Sequence, residues 1–187
     1  MNKILDENSL KKVIDNLKKN KKKIVLCHGV FDLFHIGHLE YFKEAKTAGD
    51  ILIVSVTTNK YVDKAPGRPY FNTKQRINLL SSLSVVDYVL ASNSETAESV
   101  IKLIKPNIYY KGSDYKDNKK DIKNNIKKEI NILKKYKGKI LYSKTEIYSS
   151  SNLLNKYEVE NPATKLFISN LKRKYSFNLI NKIIDKA

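Results

Sequence analysis

Residues 27–50, CHGVFDLFHIGHLEYFKEAKTAGD, decide the fold of this 187-residue chain. The short apolar run at residues 24–26 leads into this stretch and predicts a buried strand. Gly29 then gives a turn in which the backbone can approach a ligand closely. Apolar residues recur at helical spacing from Leu39 onward. A strand, a glycine turn and an amphipathic helix in this order predict the first half of a βαβ unit.

A second apolar run, DILIVSV at residues 50–56, completes that unit. Gly49 stands directly before it, where a glycine C-cap of the helix is expected. A parallel, right-handed crossover is the expected geometry. In open α/β sheets ligands bind outside the carboxyl ends of the strands, so this stretch also predicts a ligand site.

The remaining chain continues to alternate strands and helices. Ser9 is the expected N-cap of a helix over residues 9–19, and Asn72 with Gln75 resembles a capping box that starts a helix to about Leu83. We expect further strands at residues 85–90, 108–110 and 139–142, and further helices starting at Ser94 and spanning residues 119–136. This pattern predicts a Rossmann-like, doubly wound α/β sheet of about five parallel strands with an N-terminal helix.

The last part of the chain differs from this pattern. Residues 1–157 are expected to form one domain, and residues 158–187 a helical tail or linker with amphipathic pieces. The tail could be an accessory helical arm, a dimer element or a connection to something further.

The charge balance is strongly positive, with a formal net charge of +17. Only three of the 36 basic residues are Arg, whereas nucleic-acid readers rely on Arg for bidentate contacts. The lysines are also spread along the chain. We therefore interpret them as a solvated surface and expect no nucleic-acid partner.

The sequence also argues against a disulfide-bonded, a membrane-spanning or a secreted protein. A single cysteine, Cys27, excludes an internal disulfide. No apolar run approaches the length of a membrane span, and the first residues, MNKILDENSLKK, lack the apolar core of a signal peptide. We expect a cytoplasmic protein.

All three histidines of the chain fall within the deciding stretch. His35 and His38 are three residues apart, so they share one face of the first helical turn, and Gly37 keeps that face open. The helix N-terminus adds free N–H groups and a positive dipole end, which suits a polyphosphate. Two alternatives remain: a metal site completed by Cys27 or His28, and a pair of structural histidines. Neighbouring residues of a strand point to opposite faces, which weakens the metal alternative.

Residues 29–38, GVFDLFHIGH, resemble the signature of the cytidylyltransferase-like nucleotidyltransferases. The resemblance covers about residues 20–155. In pattern it is closest to the heptose-phosphate nucleotidyltransferase half of bifunctional sugar-kinase/nucleotidyltransferase proteins, a group that resembles the glycerol-3-phosphate cytidylyltransferases. Three further stretches support it: KAPGRP at residues 64–69, VDYV at residues 86–89, and residues 105–115 with KP followed by KGSDY.

The resemblance implies transfer of a nucleoside monophosphate from CTP or ATP to a small phosphorylated acceptor, a sugar phosphate or polyol phosphate. An acceptor phosphate oxygen would attack the α-phosphorus, and pyrophosphate would leave. It also implies Mg²⁺, for which the sequence shows no carboxylate cage, so the metal ligands are not assigned. A homodimer and a fused or partner sugar kinase are further implications of the same comparison.

The resemblance also assigns the site residues. Catalytic roles fall on His35, His38 and Lys64. Nucleotide binding falls on Gly29, Val30, Phe31, His35, Gly37, His38, Arg68, Asp114, Thr145, Ser149, Ser150 and Ser151. Substrate binding falls on Asp32, Lys64, Arg76 and Lys111. For Arg76, one of only three arginines, a buried ion pair is the alternative. For Asp114 it is a turn residue, and for Lys64 and Arg68 it is solvated loop charge.

The segment around Ser149 departs from the family pattern. Ile147 stands where relatives usually have glycine, and Ser150 and Ser151 replace threonines. Hydroxyls at a helix N-terminus still suit phosphate, although a plain N-cap is the alternative. A catalytically degenerate nucleotide-binding or regulatory module is therefore the second hypothesis. A third, the class I aminoacyl-tRNA synthetases, shares the His-x-Gly-His motif but needs a far longer chain.

Overall fold

Parallel strands form one sheet in the computed structural model, which describes residues 2–63, 67–116 and 125–144. Within these residues the sheet has six strands, β1 (Ile4–Leu5), β2 (Ile24–Gly29), β3 (Ile51–Thr57), β4 (Tyr88–Ser92), β5 (Ile108–Lys111) and β6 (Lys139–Tyr142). Their order is β1-β4-β3-β2-β5-β6, and every neighbouring pair is parallel. The central strand β2 therefore has β3 on one side and β5 on the other.

Helices cover both faces of the sheet. The described helices are α1 (Glu7–Lys19), α2 (Ile36–Thr47), α3 (Thr73–Ser82), α4 (Glu98–Ile104) and α5 (Asn125–Lys135), with 3-10 turns at Asn59–Tyr61 and Ser113–Tyr115. Buried residues of α1, α4 and α5 pack in one core cluster, and those of α2 and α3 pack in the other. The predicted doubly wound α/β fold is confirmed.

The side chains of β2 alternate between the two faces of the sheet, so this strand contributes residues to both core clusters. Ile24 and Leu26 belong to the cluster under α1, α4 and α5, whereas Val25 and Cys27 belong to the cluster under α2 and α3. Successive side chains of a strand point to opposite faces, so His28 lies on the face of Leu26. Cys27 and His28 thus diverge, as the sequence predicted.

The N-terminal region differs from expectation in two respects. Strand β1 was not predicted; it pairs with Val89 and Leu90 of β4 at the edge of the sheet. The N-cap of α1 is Asp6 instead of Ser9, because Asp6 accepts the Ser9 N–H at 2.7 Å and Ser9 returns a bond to the Asp6 N–H. Ser9 is the third helical residue of a capping box.

Other boundaries also shift. Helix α4 begins at Glu98, after the predicted start at Ser94, and β4 occupies residues 88–92 because residues 83–87 form a turn. The C-cap of α2 is Ala48; Gly49 lies so close to the Lys23 carbonyl that a Cβ would be 2.8 Å from its oxygen. The predicted capping box of Asn72 and Gln75 is confirmed.

Several predictions lie outside the described residues, including the first residues of the predicted helix over 119–136 and the tail over 158–187. The predicted division at residue 157 therefore stays a prediction. In the part of the chain that the structure describes, no helix is both long and apolar enough to cross a membrane.

Candidate active site

The site is built at the carboxyl end of β2, where neighbouring connections diverge to opposite faces of the sheet. The chain leaves β2 and forms α2 on the face of Cys27, whereas β5, on the other side of β2, leads toward α5 on the opposite face. A crevice at such a switch point is the usual ligand site of an open α/β sheet.

His35 and His38 cap the N-terminus of α2 reciprocally. His35 is the N-cap, and its Nδ1 accepts the Gly37 N–H at 3.1 Å. The Nδ1 of His38 accepts the His35 N–H at 3.4 Å, and the ring centroids are 4.0 Å apart. Because both Nδ1 atoms accept, each neutral ring carries its proton on Nε2. The pair therefore carries two Nε2–H donors at the N-terminus of α2, where the N–H groups of Gly37, His38 and Leu39 are already bonded to His35.

Burial sets the protonation state of His35 and holds both rings in place. Desolvation lowers the pKa of His35, which favours the neutral ring. Phe34 stacks on His38 with ring centroids 5.5 Å apart, and Phe31 meets His38 edge-on at 5.8 Å. The Nε2 of His35 is buried and has no hydrogen-bond partner within the described chain. A buried donor without a partner is costly, so it is available for a ligand oxygen.

The turn between β2 and α2 is held in an unfavourable backbone conformation. Phe31 and Leu33 both have positive φ values, 51° and 49°. Such left-handed residues cost about 1–3 kcal/mol each when they are not glycine, and they cluster at functional sites. The turn that carries the predicted amide contacts of Val30 and Phe31 is therefore maintained by the surrounding structure.

Asp32 anchors the loop that follows β3. Its side chain is fully buried and accepts the Arg68 Nε–H at 2.7 Å and the Tyr70 and Phe71 N–H groups at 3.0 and 3.1 Å. Burial alone would raise the pKa of Asp32, but the bonds from Phe71, Tyr70 and Arg68 outweigh it and lower the pKa. These oxygens thus bind the protein itself and order the loop, and a substrate contact of Asp32 stays a prediction.

The ion pair with Asp32 orients Arg68, which makes Arg68 a candidate phosphate ligand. One edge of its guanidinium is fixed on Asp32, and the group lies 5.2 Å from the Tyr70 ring centroid. Its Nη2 is buried and has no hydrogen-bond partner in the described residues. An oriented guanidinium with an unused donor suits a phosphate oxygen.

Arg76 was predicted either to contact the substrate or to form a buried ion pair, and the structure places it in the interior. The side chain is 1% exposed, and its donors all find protein acceptors. The acceptors are the carbonyl oxygens of Phe71, Val30 and Thr57, the Asn59 side-chain oxygen and, at 3.4 Å, the Thr73 hydroxyl. A guanidinium has five N–H groups, so none remains for a ligand. Arg76 instead fixes the turn after β2 to the loops on either side of it.

Lys111 and Asp114 follow β5. Lys111 was predicted to bind substrate, yet it is buried, with Nζ 3.9 Å from a Glu129 carboxylate oxygen and 4.1 Å from the centroid of the Tyr115 ring. Its charge is therefore compensated within the protein. Asp114 lies in the 3-10 turn, and its carboxylate folds back against Gly112.

A row of buried polar side chains, which sequence reasoning missed, lies on the other face of the sheet. His28 contacts the Ser55 hydroxyl at 3.1 Å through Nδ1 and the Thr57 hydroxyl at 3.4 Å through Nε2. Ser92 follows on β4, and its buried hydroxyl has no partner among the described residues. The signal was present in the sequence, because Ser55 and Thr57 alternate with apolar residues in the run of β3.

Some predicted site residues cannot be placed. Lys64, Thr145, Ser149, Ser150 and Ser151, together with Ile147, lie outside the described residues. Their assigned roles stay predictions. The described residues contain no group of three or more His, Cys, Asp or Glu side chains that could hold a metal ion.

Comparison with known proteins decides the family. The model of the cytidylyltransferase-like family matches residues 26–157. The chain belongs to this family. The match begins within β2 and includes the strands from β3 to β6 and the reciprocal histidine cap. The cytidylyltransferase-like nucleotidyltransferase predicted from the sequence is therefore confirmed at the level of the family.

Family members with high similarity include bifunctional proteins. The chain is 36% identical over 149 residues to the bifunctional protein HldE of Helicobacter pylori strain J99, covering 79% of this chain and 30% of that protein. It is 38% identical over 138 residues to the HldE protein of a Nitratiruptor species, covering 73% of this chain and 30% of that protein. The chain thus spans about a third of the length of these relatives.

Solved structures show the same fold. A lipopolysaccharide core biosynthesis protein of Thermoplasma volcanium matches with a TM-score of 0.54 and 29% identity, covering 67% of this chain and 99% of that one. A pantoate-beta-alanine ligase of Francisella tularensis matches with a TM-score of 0.54, covering 97% of this chain and 85% of that one. Its 19% identity supports likeness of fold alone.

Proposed function

We propose that this family member transfers a nucleoside monophosphate from CTP or ATP to a sugar phosphate or polyol phosphate and releases pyrophosphate. The observation that carries the proposal is the reciprocal cap of His35 and His38. It brings two imidazole rings and a helix N-terminus together after the carboxyl end of the central strand.

The reaction needs positioning and charge stabilisation. An oxygen of the acceptor phosphate attacks the α-phosphorus, the bond to the bridging oxygen breaks, and pyrophosphate takes up the electron pair. No covalent enzyme intermediate forms. The two histidines donate to phosphate oxygens as charge develops, and Arg68 holds another oxygen through its unused Nη2. Lys64 and the hydroxyls of Ser149 to Ser151 would add further contacts.

We propose that Mg²⁺ would enter with the nucleotide, whose phosphates would supply most of its ligands. Mg²⁺ is commonly held by one or two carboxylates together with substrate phosphates. The described residues offer no multi-carboxylate group, and Asp32 is engaged by Arg68 and two backbone N–H groups. The ion would supply charge neutralisation on the triphosphate.

Two observations support a sugar or polyol acceptor. The Pro-Gly-Arg-Pro loop at residues 66–69 resembles that of the sugar-phosphate nucleotidyltransferases more than that of enzymes acting on a choline-type head group. The similar Thermoplasma protein is named for lipopolysaccharide core biosynthesis. Because the HldE relatives are bifunctional and much longer, we also propose a fused or partner sugar kinase. A homodimer and a cytoplasmic location are further proposals, the first of which rests on the family resemblance.

The test is a screen for pyrophosphate release with four NTPs against a panel of sugar and polyol phosphates. With the best pair, His38→Ala should lower kcat by a factor of about 100 or more, as for loss of a transition-state donor. His35→Asn should lower it similarly, although asparagine retains the ability to cap the helix.

The matched control is Lys43→Ala, an exposed residue on the same helix, which should keep the wild-type rate. Near-wild-type turnover in both histidine variants would overturn the catalytic assignment. Nucleotide binding without pyrophosphate release from any pair would instead identify a catalytically degenerate module.

A further inference from the structure

The loop after β3 brings Arg68 and Tyr70 to one carboxylate oxygen. The Arg68 Nε–H donates to Oδ2 of Asp32 at 2.7 Å, and the Tyr70 N–H donates to the same atom at 3.0 Å. Asp32 lies three residues before His35, in the turn between β2 and α2. These bonds therefore hold Arg68 and the backbone of Tyr70 against the turn that leads to the histidine cap.

The Tyr70 side chain is exposed beside this buried ion pair. Tyr70 is 58% exposed, whereas the side chain of Arg68 is 10% exposed and that of Asp32 is fully buried. The guanidinium carbon of Arg68 lies 5.2 Å from the centroid of the Tyr70 ring. A single exposed aromatic residue is common on a protein surface and needs no function. Tyr70 differs from that general case, because its backbone is bonded to Asp32 and its ring lies against a guanidinium whose Nη2 has no partner among the described residues.

The strand order separates this loop from the crevice at the switch point. That crevice lies between the connections that leave β2 and β5, beside the two histidines, and it is the expected place of the nucleotide. The loop of Tyr70 follows β3, which flanks β2 on the side away from β5. A group that reaches Tyr70 therefore lies on the β3 side of β2, where the second substrate is expected.

The chemistry of the pair suits a group that is attached directly to a phosphate. An unused N–H of an oriented guanidinium binds phosphate oxygens. The neighbouring tyrosine ring can cover the C–H face of a sugar or polyol, because that face is apolar despite the hydroxyl groups around it. In the acceptor this carbon skeleton is bonded directly to the phosphate, whereas a nucleobase is separated from its phosphates by the ribose.

We propose that Tyr70 contacts the carbon skeleton of the acceptor, while Arg68 binds the acceptor phosphate where it meets the α-phosphate of the nucleotide. The inference rests on the proposed nucleotidyl transfer. It makes Tyr70 the residue through which the site prefers an organic phosphate to inorganic phosphate, which offers Arg68 similar oxygens but has no carbon skeleton.

Steady-state kinetics of Tyr70→Ala test this contact, with both substrates varied and the best acceptor of the panel. The KM for the acceptor should rise about tenfold, because its C–H face loses the aromatic ring that covers it. The KM for the nucleotide should stay within a factor of about two. Tyr70→Phe keeps the ring and should match wild type, which separates the contact of the ring from a role of the hydroxyl.

Inorganic phosphate separates a direct contact of Tyr70 from an effect on Arg68. This ion competes with the acceptor for Arg68 but has no carbon skeleton to place on the tyrosine ring. Its inhibition constant against the acceptor should therefore change less than about twofold in Tyr70→Ala. An equal rise for phosphate and acceptor would show that Tyr70 only orients Arg68, and would overturn the proposal.

Tyr136→Ala is the matched control. Tyr136 is also an exposed tyrosine with a cation near its ring, since Lys105 Nζ lies 5.2 Å from the ring centroid. It lies between α5 and β6, at the amino ends of the strands and away from the site, so its loss should leave both KM values unchanged. A rise confined to the nucleotide KM in Tyr70→Ala would place the nucleoside on the ring and contradict the proposal.

The two proposals can fail separately. If the wild-type chain transfers a nucleotide and Tyr70→Ala behaves like Tyr136→Ala, the acceptor contact is wrong and the proposed function stands. If no substrate pair releases pyrophosphate, the proposed function fails, and calorimetric titration of wild type and Tyr70→Ala with the same sugar and polyol phosphates still tests the contact. Weaker binding of one of these phosphates by the variant would support the contact, and equal or absent binding would overturn it.

Discussion

Arg76 carries a positive charge into the interior of the protein. Burial lowers its pKa, while the nearby Asp32 carboxylate acts in the opposite direction. A buried charge is tolerated only when it is paired and hydrogen-bonded, and Arg76 satisfies this with acceptors from separate loops and helix α3. Arg76 therefore connects the turn at Val30 to the loop at Phe71 through hydrogen bonds to both.

Replacing Arg76 with Met should destabilise the protein by about 3–5 kcal/mol, because several buried acceptors would lose their donors. Urea denaturation followed by circular dichroism measures the free energy of unfolding. Lys74→Met, at an exposed position of the same helix, is the control and should change stability by less than about 0.5 kcal/mol. A loss below about 1 kcal/mol for Arg76→Met would contradict this account.

His28 makes stability depend on pH. Burial, and then the charge of Lys111, lower its pKa to about 3, whereas an unfolded histidine titrates near 6.5. Between these values the unfolded chain binds more protons, so stability falls as the pH falls from about 6.5.

The pH effect can be isolated with His28→Gln. At pH 4.5 the wild-type protein should lose up to about 2–3 kcal/mol through this residue, relative to its stability at pH 7. The difference in unfolding free energy between wild type and variant, measured in urea at both pH values, should shrink by that amount at pH 4.5. An unchanged difference would show that His28 becomes protonated in the folded state.

At the scale of elements, the apolar runs were sufficient to predict β2, β3, β5 and β6. Strand β1 was missed because two residues have no periodicity, and only pairing with β4 makes Ile4 and Leu5 a strand. The start of α4 was misplaced for a related reason. The Ala97 N–H at that helix end donates to Glu129 of α5, a bond across 32 residues that no local pattern reveals.

In the site, too, local patterns could be predicted from the sequence, whereas contacts between distant segments could not. The spacing of His35 and His38 predicted a shared face, and the structure adds that each caps the other. The scarcity of arginine drew attention to Arg76, but its acceptors come from distant segments, so its burial could not be read from the sequence. The partners of Asp32 were likewise not predictable, because Arg68 and Phe71 lie 36 and 39 residues away.

At the scale of the molecule, a formal net charge of +17 surrounds a site proposed to bind a triphosphate. Dispersed lysines create a positive potential even when none of them contacts a ligand, and this potential raises the local concentration of anions. Such long-range attraction is screened over about 10 Å at 0.1 M salt. The buried Asp32–Arg68 pair is screened much less, because one partner is fully buried.

The KM for the nucleotide should therefore rise about three- to tenfold between roughly 0.05 and 0.3 M KCl, whereas kcat should change little, because screening weakens capture more than the bonds made in the site. The acceptor phosphate, which carries less charge than a triphosphate, should show a smaller rise. Initial rates with the nucleotide varied at saturating acceptor, and then with the acceptor varied at saturating nucleotide, measure the two effects, with Mg²⁺ held constant. A nucleotide KM that is independent of salt would mean that the surface lysines play no part in capture, and that contacts such as that of Arg68 alone determine affinity.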